Sequence, residues 1–254
     1  MKTGLLASAA MAAGLLAAPA AFAQPAAYDW TGFYIGLNAG GAWGNSDLNS
    51  HVDPSTNTYF APSSITSVNS NGHGSISPSG FTGGVQGGYN WQSGPLVLGV
   101  ETDFQAVDIS QNGSKTVVYP CCAPESYTMT HGVSANWLWT LRPRVGWQGD
   151  GWLIYGTGGL AVADFGSRQH FSDTAGATET ANTSSTRTGW TLGGGVERAL
   201  GGGWSVRGEY LYVGFQGVSS NGTLTWPGGP ETASFRNSAQ LNLNILRAGV
   251  NFKF

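Results

Sequence analysis

The chain has 254 residues, only 10% of them charged, with 40 glycines, 10 tryptophans and a formal net charge of −3. Soluble globular domains carry about 25% charged residues, so this composition argues against an ordinary water-facing surface. The mild acidity excludes a basic footprint for nucleic acid.

At the start, Lys2 precedes an apolar run from Leu5 to Ala18, then Pro19 and Ala21-Phe22-Ala23. A basic start, a short apolar middle and a small-residue site predict a cleaved secretory signal over 1–23, with the mature domain spanning 24–254. Loss of Lys2 takes the net charge from −3 to −4. No other stretch approaches the roughly 20 apolar residues a spanning helix needs. A membrane location therefore requires a closed barrel, in which every backbone group is paired.

Eight stretches then alternate apolar and polar residues with the period of a strand. Phe33, Ile35, Leu37 and Ala39 share the first apolar face, and Phe81, Val85, Tyr89 and Trp91 the second. The third carries Leu96, Leu98, Val100 and Phe104 against Gly99, Glu101, Asp103 and Gln105. The fourth carries Trp137, Trp139, Leu141, Val145 and Trp147 against Asn136, Thr140, Arg142 and Arg144. Trp152 to Ala163 is a fifth strand whose glycines leave its facing open. Trp190, Leu192 and Val196 oppose Thr191 and Glu197, and Trp204, Val206 and Tyr210 oppose Ser205, Arg207 and Glu209. The eighth runs to Phe254, where Val250, Phe252 and Phe254 alternate with Asn251 and Lys253; a slip in apolar phase near Ile245-Leu246 predicts a bulge.

Tight glycine-bearing turns are expected at 92–94, 148–151 and 200–203. The intervening connections at about 44–79, 107–133, 164–188 and 216–239 are rich in Ser, Thr, Asn and Gly and read as long loops. Strict alternation of short and long connections is the pattern of short periplasmic turns and long external loops. The fold expected is all-β: an eight-stranded antiparallel up-and-down transmembrane barrel in the cell outer membrane. Aromatics fall at strand ends. Trp30, Trp91, Trp147, Trp152, Trp204 and Phe254 mark the short-turn end, and Trp43, Phe81, Trp137, Trp190 and Phe215 the other, as two interfacial belts require.

Asp29-Trp30-Thr31-Gly32-Phe33-Tyr34-Ile35-Gly36, Arg207-Gly208-Glu209-Tyr210-Leu211-Tyr212 and Arg247 to Phe254 resemble the RopB-type small outer-membrane proteins of alphaproteobacteria. The likeness covers the strands, not the loops. It implies an abundant surface barrel interacting with other envelope components, sometimes called porin-like, and names no catalytic residue. The C-terminal spacing, with Gly249, Phe252 and Phe254, resembles the signature by which outer-membrane assembly machinery recognises its clients.

The polar faces carry Glu101, Asp103, Glu197 and Glu209 against Arg142, Arg144, Arg207 and Arg247. Strand heights suggest that Glu101 pairs with Arg142 and Glu197 with Arg207 inside the barrel, because charges taken out of water persist when paired. The expected role is a filled interior; the alternatives are a narrow porin-like channel for small solutes and a loop-mediated receptor, haem binder or adhesin. Cys121 and Cys122 lie between Pro120 and Pro124 and suit a vicinal disulfide in an oxidising compartment. His51, His73, His131 and His170 fall in the expected loops without metal-type spacing. Neither a metal nor another cofactor is expected. Gly-x-Ser-x-Gly is absent and no Ser-His-Asp set is brought together by strand geometry, so no enzyme is expected. Expected partners are outer-membrane lipid, lipopolysaccharide and the assembly machinery, with an extracellular loop ligand as a further option. A soluble lipocalin-like barrel, apolar inside and charged outside, is the architectural rival.

Overall fold

The computed structural model describes residues 28–254; the expected signal segment lies outside them. Ten strands form one antiparallel sheet: β1 (Gly32–Val52), β2 (His73–Ile76), β3 (Ser79–Ser93), β4 (Leu96–Val118), β5 (Ser126–Gly149), β6 (Trp152–Asp173), β7 (Thr178–Gly201), β8 (Trp204–Phe215), β9 (Val218–Leu224) and β10 (Ala233–Lys253). Eight close into a ring in the order β1-β3-β4-β5-β6-β7-β8-β10, and β10 pairs back onto β1 from Tyr34↔Lys253 to Val52↔Phe235. The two strands beyond the expected eight, β2 and β9, add to β1 and β10 along the upper rim.

The eight alternating stretches all lie in ring strands, but those strands continue far beyond them. The expected loops are mostly strand: β1 runs on to Val52, β4 to Val118 and β6 to Asp173, while β7 begins at Thr178. One expected loop also contains a helix, α1 (Pro62–Asn71), which has Pro at its start and buries Val68 over the barrel mouth. The short turns stand where glycine permits them. Between β5 and β6, Asp150 and Gly151 both take positive φ, 51° and 76°, the two-residue geometry that matches strand twist.

Alternation runs along the strands, and in those that rise above the apolar band its meaning reverses. In the lower half of β1, Phe33, Ile35, Leu37 and Trp43 point outward and Tyr34 and Asn38 inward. In its upper half Asn45, Asp47 and His51 face out, and Leu48 and Val52 are buried. The outward apolar band covers about nine to eleven residues per strand, the length that crosses a bilayer when tilted. Above the band stands a barrel of the opposite kind, apolar within and polar without. That reversal accounts for the phase slip at Ile245-Leu246. The β1–β10 and β8–β10 registers run through this point without a bulge. Ile245 is inward like Arg247, and Leu246 is outward like Val250; the interior has merely changed from polar to apolar.

Bulges occur elsewhere. One extra residue on β4 lies between Ala106 and Ile109, and one on β5 between Ser134 and Leu138. The second flips the phase of β5, so Asn136 faces outward instead of sharing the interior with Arg142, and Leu138 takes the inward place. The lumen is filled by stacked layers. Trp30, Val97, Leu153 and Tyr155 close the short-turn end. Charged residues follow, then an apolar layer that includes Leu138, Phe165, Leu211, Leu243 and Ile245. Phe60, Tyr127, Phe171 and Phe235 fill the top. Trp30, expected in the lower belt, is instead buried in the bottom layer at 2% exposure. Trp91, Trp147, Trp152, Trp204 and Phe254 are exposed below, and Trp43, Phe81 and Trp190 above, whereas Phe215 packs against the apolar layer.

Candidate functional site: a buried layer of ion pairs

All eight charged residues singled out from the sequence lie on inward positions of β4, β5, β7, β8 and β10, and all are buried. Arg142 is central and fully enclosed. Its Nη2 stands 2.6 Å from Glu101 Oε1 and 2.8 Å from Asp103 Oδ2, and its Nη1 3.4 Å from Glu209 Oε1. Arg247 joins Glu209 at 2.5 Å and Asp103 at 3.1 Å. Arg207 pairs with Glu101. Four guanidinium groups meet four carboxylates, so the layer carries no net charge.

Glu197 and Arg207 are opposite in register on β7 and β8, yet they do not form the expected pair. Glu197 instead takes Arg144 at 2.8 Å, past the intervening β6, and Arg207 reaches across the lumen to Glu101 as well as to Glu209. Side chains of arginine length cross an eight-strand interior, so contact there is not limited to adjacent strands.

Neutral groups complete the layer, and most were not singled out in advance. The Tyr34 hydroxyl donates to Glu101 at 2.6 Å and accepts from Arg144 at 3.1 Å. Tyr155 donates to Glu209 at 2.9 Å, and the Arg144 guanidinium lies over its ring, 4.1 Å from the centroid, a cation–π contact strengthened by the burial of both groups. Thr140 donates to Asp103, Ser205 and Asn251 donate to Glu197, and Gln86 donates to Asn251. The usable signal is strand phase for Gln86, Thr140, Ser205 and Asn251, each of which shares an inward parity with a charge or lies opposite one, whereas Tyr34 and Tyr155 lie opposite glycines on strands that carry none of the eight charges. Glycine makes the room: a Cβ at Gly88 would fall 2.6 Å from the Tyr34 hydroxyl, and one at Gly195 the same distance from that of Tyr155. The Gly193-Gly194-Gly195 run thus serves side-chain accommodation as well as strand packing.

The remaining singled-out residues lie apart. Gly249 is inward, opposite Arg207 in register; Phe252 lies at the end of β10 and Phe254 just after it, 73% exposed beside Phe252. Cys121 and Cys122 are joined in a vicinal disulfide whose Cα atoms are 3.7 Å apart, and Cys121 Sγ lies 3.3 Å from Ser64 Oγ on α1. His51 and His73 are exposed and His170 partly so, but His131 is not in a loop: it is buried on the inner face of β5, where loss of water pushes its imidazole below the ordinary pKa. Higher in the lumen, Glu179 is buried beside Asn237, whose amide donates to it at 3.1 Å, and burial raises its carboxyl to about 7.

A closed ring with an apolar outer band, aromatic edges and a charge-paired interior defines a transmembrane β-barrel. The chain belongs to the family of the outer membrane protein beta-barrel domain, whose model matches residues 8–254. It is 33% identical to the 31 kDa outer-membrane immunogenic protein of Brucella melitensis over the whole of both chains. It is also 34% identical to the 22 kDa outer membrane protein of Rhizobium leguminosarum, over 54% of each. Among solved structures, the outer membrane protease OmpT of Escherichia coli superposes with a TM-score of 0.44 at 9% identity, over 88% of this chain and 97% of that one. The resemblance to small alphaproteobacterial outer-membrane proteins therefore holds, and the chain is an outer-membrane β-barrel surface protein set among the lipids of that membrane.

Proposed function

We propose that this surface protein works as a closed, non-conducting barrel that anchors a tall polar rim outside the cell and contributes to envelope integrity and surface interactions. The observation supporting this most directly is the continuous filling of the lumen, from the Trp30 layer through the ion pairs to the apolar and aromatic layers above. In this reading the eight charged residues are a structural plug. They are engaged with one another rather than with a substrate or a permeant ion, which argues against both catalysis and a selectivity filter. The short-turn end faces the periplasm, as in other outer-membrane barrels, and the rim capped by α1 faces outward. Residues 1–23 are the cleaved export signal. Gly249, Phe252 and Phe254 contribute to the signature read by the assembly machinery, and the polar outer wall meets lipopolysaccharide. Planar-bilayer recording tests the central claim: purified protein should leave the bilayer silent. Steady, ion-selective conductance steps would overturn it.

A further inference from the structure

The polar outer wall carries a concave place. Between β4 and β7, just above the aromatic edge and beside the β5 bulge, lies a groove of about 460 Å³. The register explains its shape. Ser110, Ser134, Gly166 and Ser184 form one row across the four strands, and Asn112, Gly132, Arg168 and Asn182 the next. The two glycines fall in the middle of these rows. A side chain at Gly166 would run into Ser134 Oγ, and one at Gly132 into Asn112, so the floor is bare backbone and a hydroxyl. The rim is rich in hydrogen-bonding groups. Asp164 accepts from Asn136 at 2.9 Å and from Ser184 at 3.4 Å, while Arg168 and Asn182 are exposed above it.

Amides, hydroxyls, a carboxylate held by Asn136 and Ser184 and the exposed Arg168 guanidinium, in a lining shared about equally between polar and apolar surface, suit a polyhydroxylated ring, polar at its edges and apolar on its faces, that bears an anionic substituent. The groove opens sideways rather than into the barrel mouth. Its height, directly above the outward Trp137 and Trp190, is where lipid head groups begin. We propose that this groove binds the saccharide head group of an outer-leaflet glycolipid, with Arg168 donating to its anionic group and Asp164 and Asn182 bonding ring hydroxyls. The assignment rests on the outward orientation of the rim proposed above.

The test uses the mature protein reconstituted in phosphatidylcholine vesicles containing rough-type lipopolysaccharide, then extracted in mild detergent, with retained glycolipid counted by native mass spectrometry. The unaltered protein should keep the glycolipid. The Asp164→Ala/Arg168→Ala variant should bind it at least about tenfold more weakly, the factor that corresponds to 1.4 kcal/mol. An Asp47→Ala/Gln240→Ala variant, altered on the β1–β10 wall opposite, should bind as the unaltered protein does. Equal retention by the groove variant overturns the proposal. So does a preference for the deacylated oligosaccharide, which would make the ligand a soluble sugar, or equal retention of phosphatidylglycerol, which would make it simple charge attraction. Labelling of an Asn182→Cys variant on intact cells by an impermeant maleimide reads orientation independently. Labelled cells with no glycolipid preference would reject the groove alone, and unlabelled cells would reject the orientation with it.

Discussion

Replacement of Arg142 probes the plug most sharply. Arg142 is 0% exposed and lies within 3.4 Å of three carboxylates. Arg142→Met keeps most of the volume and leaves four buried carboxylates facing three guanidinium groups. Because one partner of a buried network is removed while the other charges stay enclosed, the loss should be about 3–5 kcal/mol. Screening gives no relief, since no partner touches solvent appreciably. The companion change is Asp103→Asn. With both made, the remaining contacts sort into three pairs: Glu101 with Arg207, Glu197 with Arg144, and Glu209 with Arg247. The double variant should therefore be more stable than Arg142→Met by about 2 kcal/mol, within the range for side chains in direct contact. Urea unfolding of protein folded in detergent, followed by the shift between folded and unfolded bands on cold gels, gives the numbers. A loss below about 1 kcal/mol in the single variant, or a double variant no better than it, would refute the idea that charge balance in this layer stabilises the barrel.

Glu179 makes the extramembrane barrel pH-sensitive. Its folded carboxyl is raised to about 7 from an ordinary value near 4.5, so its contribution is complete below the unfolded value and is lost as pH rises through 7. Glu179→Gln should leave stability unchanged at pH 4 and raise it by up to about 3 kcal/mol at pH 8, read from unfolding midpoints; no gain at pH 8 would contradict the burial argument. Phe254→Ala changes a mostly exposed side chain whose backbone N–H still donates to Phe33. Refolding in detergent should be unaffected, whereas the amount assembled in the outer membrane of cells should drop severalfold; equal assembly would remove Phe254 from the recognition signature. Gly195→Ala places a methyl 2.6 Å from both the Gly208 carbonyl oxygen and the Tyr155 hydroxyl, of which only the second is removable. It should cost about 1–3 kcal/mol by overpacking, and a Gly195→Ala/Tyr155→Phe variant should recover part of that.

Most of the lower half of the molecule was legible from the alternation, with Trp30 and Asn136 as exceptions. The period of two in Phe33 to Ala39, Leu96 to Gln105 and Val250 to Phe254 determines which side chains share a face. A lipid-facing wall makes one face continuously apolar, so charges such as Glu101 and Arg142 can lie only inward. Local composition alone also fixes the turns at Asp150-Gly151 and their neighbours. The upper half was hidden because its outward residues are largely Ser, Thr and Asn, and along Thr178 to Gly189 the inward positions, Glu179, Ala181, Thr183, Ser185 and Arg187, supply no apolar period. Such a stretch reads as loop until its neighbours pair with it, and pairing is a long-range fact.

Partner choice was hidden for the same reason. Sequence gives the height and parity of Glu197, but whether it meets Arg207 beside it or Arg144 two strands away depends on ring diameter and on the competing claim of Glu101, across the lumen, for Arg207. The supposed bulge at Ile245-Leu246 carries the same lesson: a change of phase in hydrophobicity can mean a slipped register or a changed surrounding medium. The amino-acid order thus determined the strands, their lipid face and the inward charges. The closed ring alone decided where the interior turns from polar to apolar and which ions meet, because those depend on residues brought together from opposite walls.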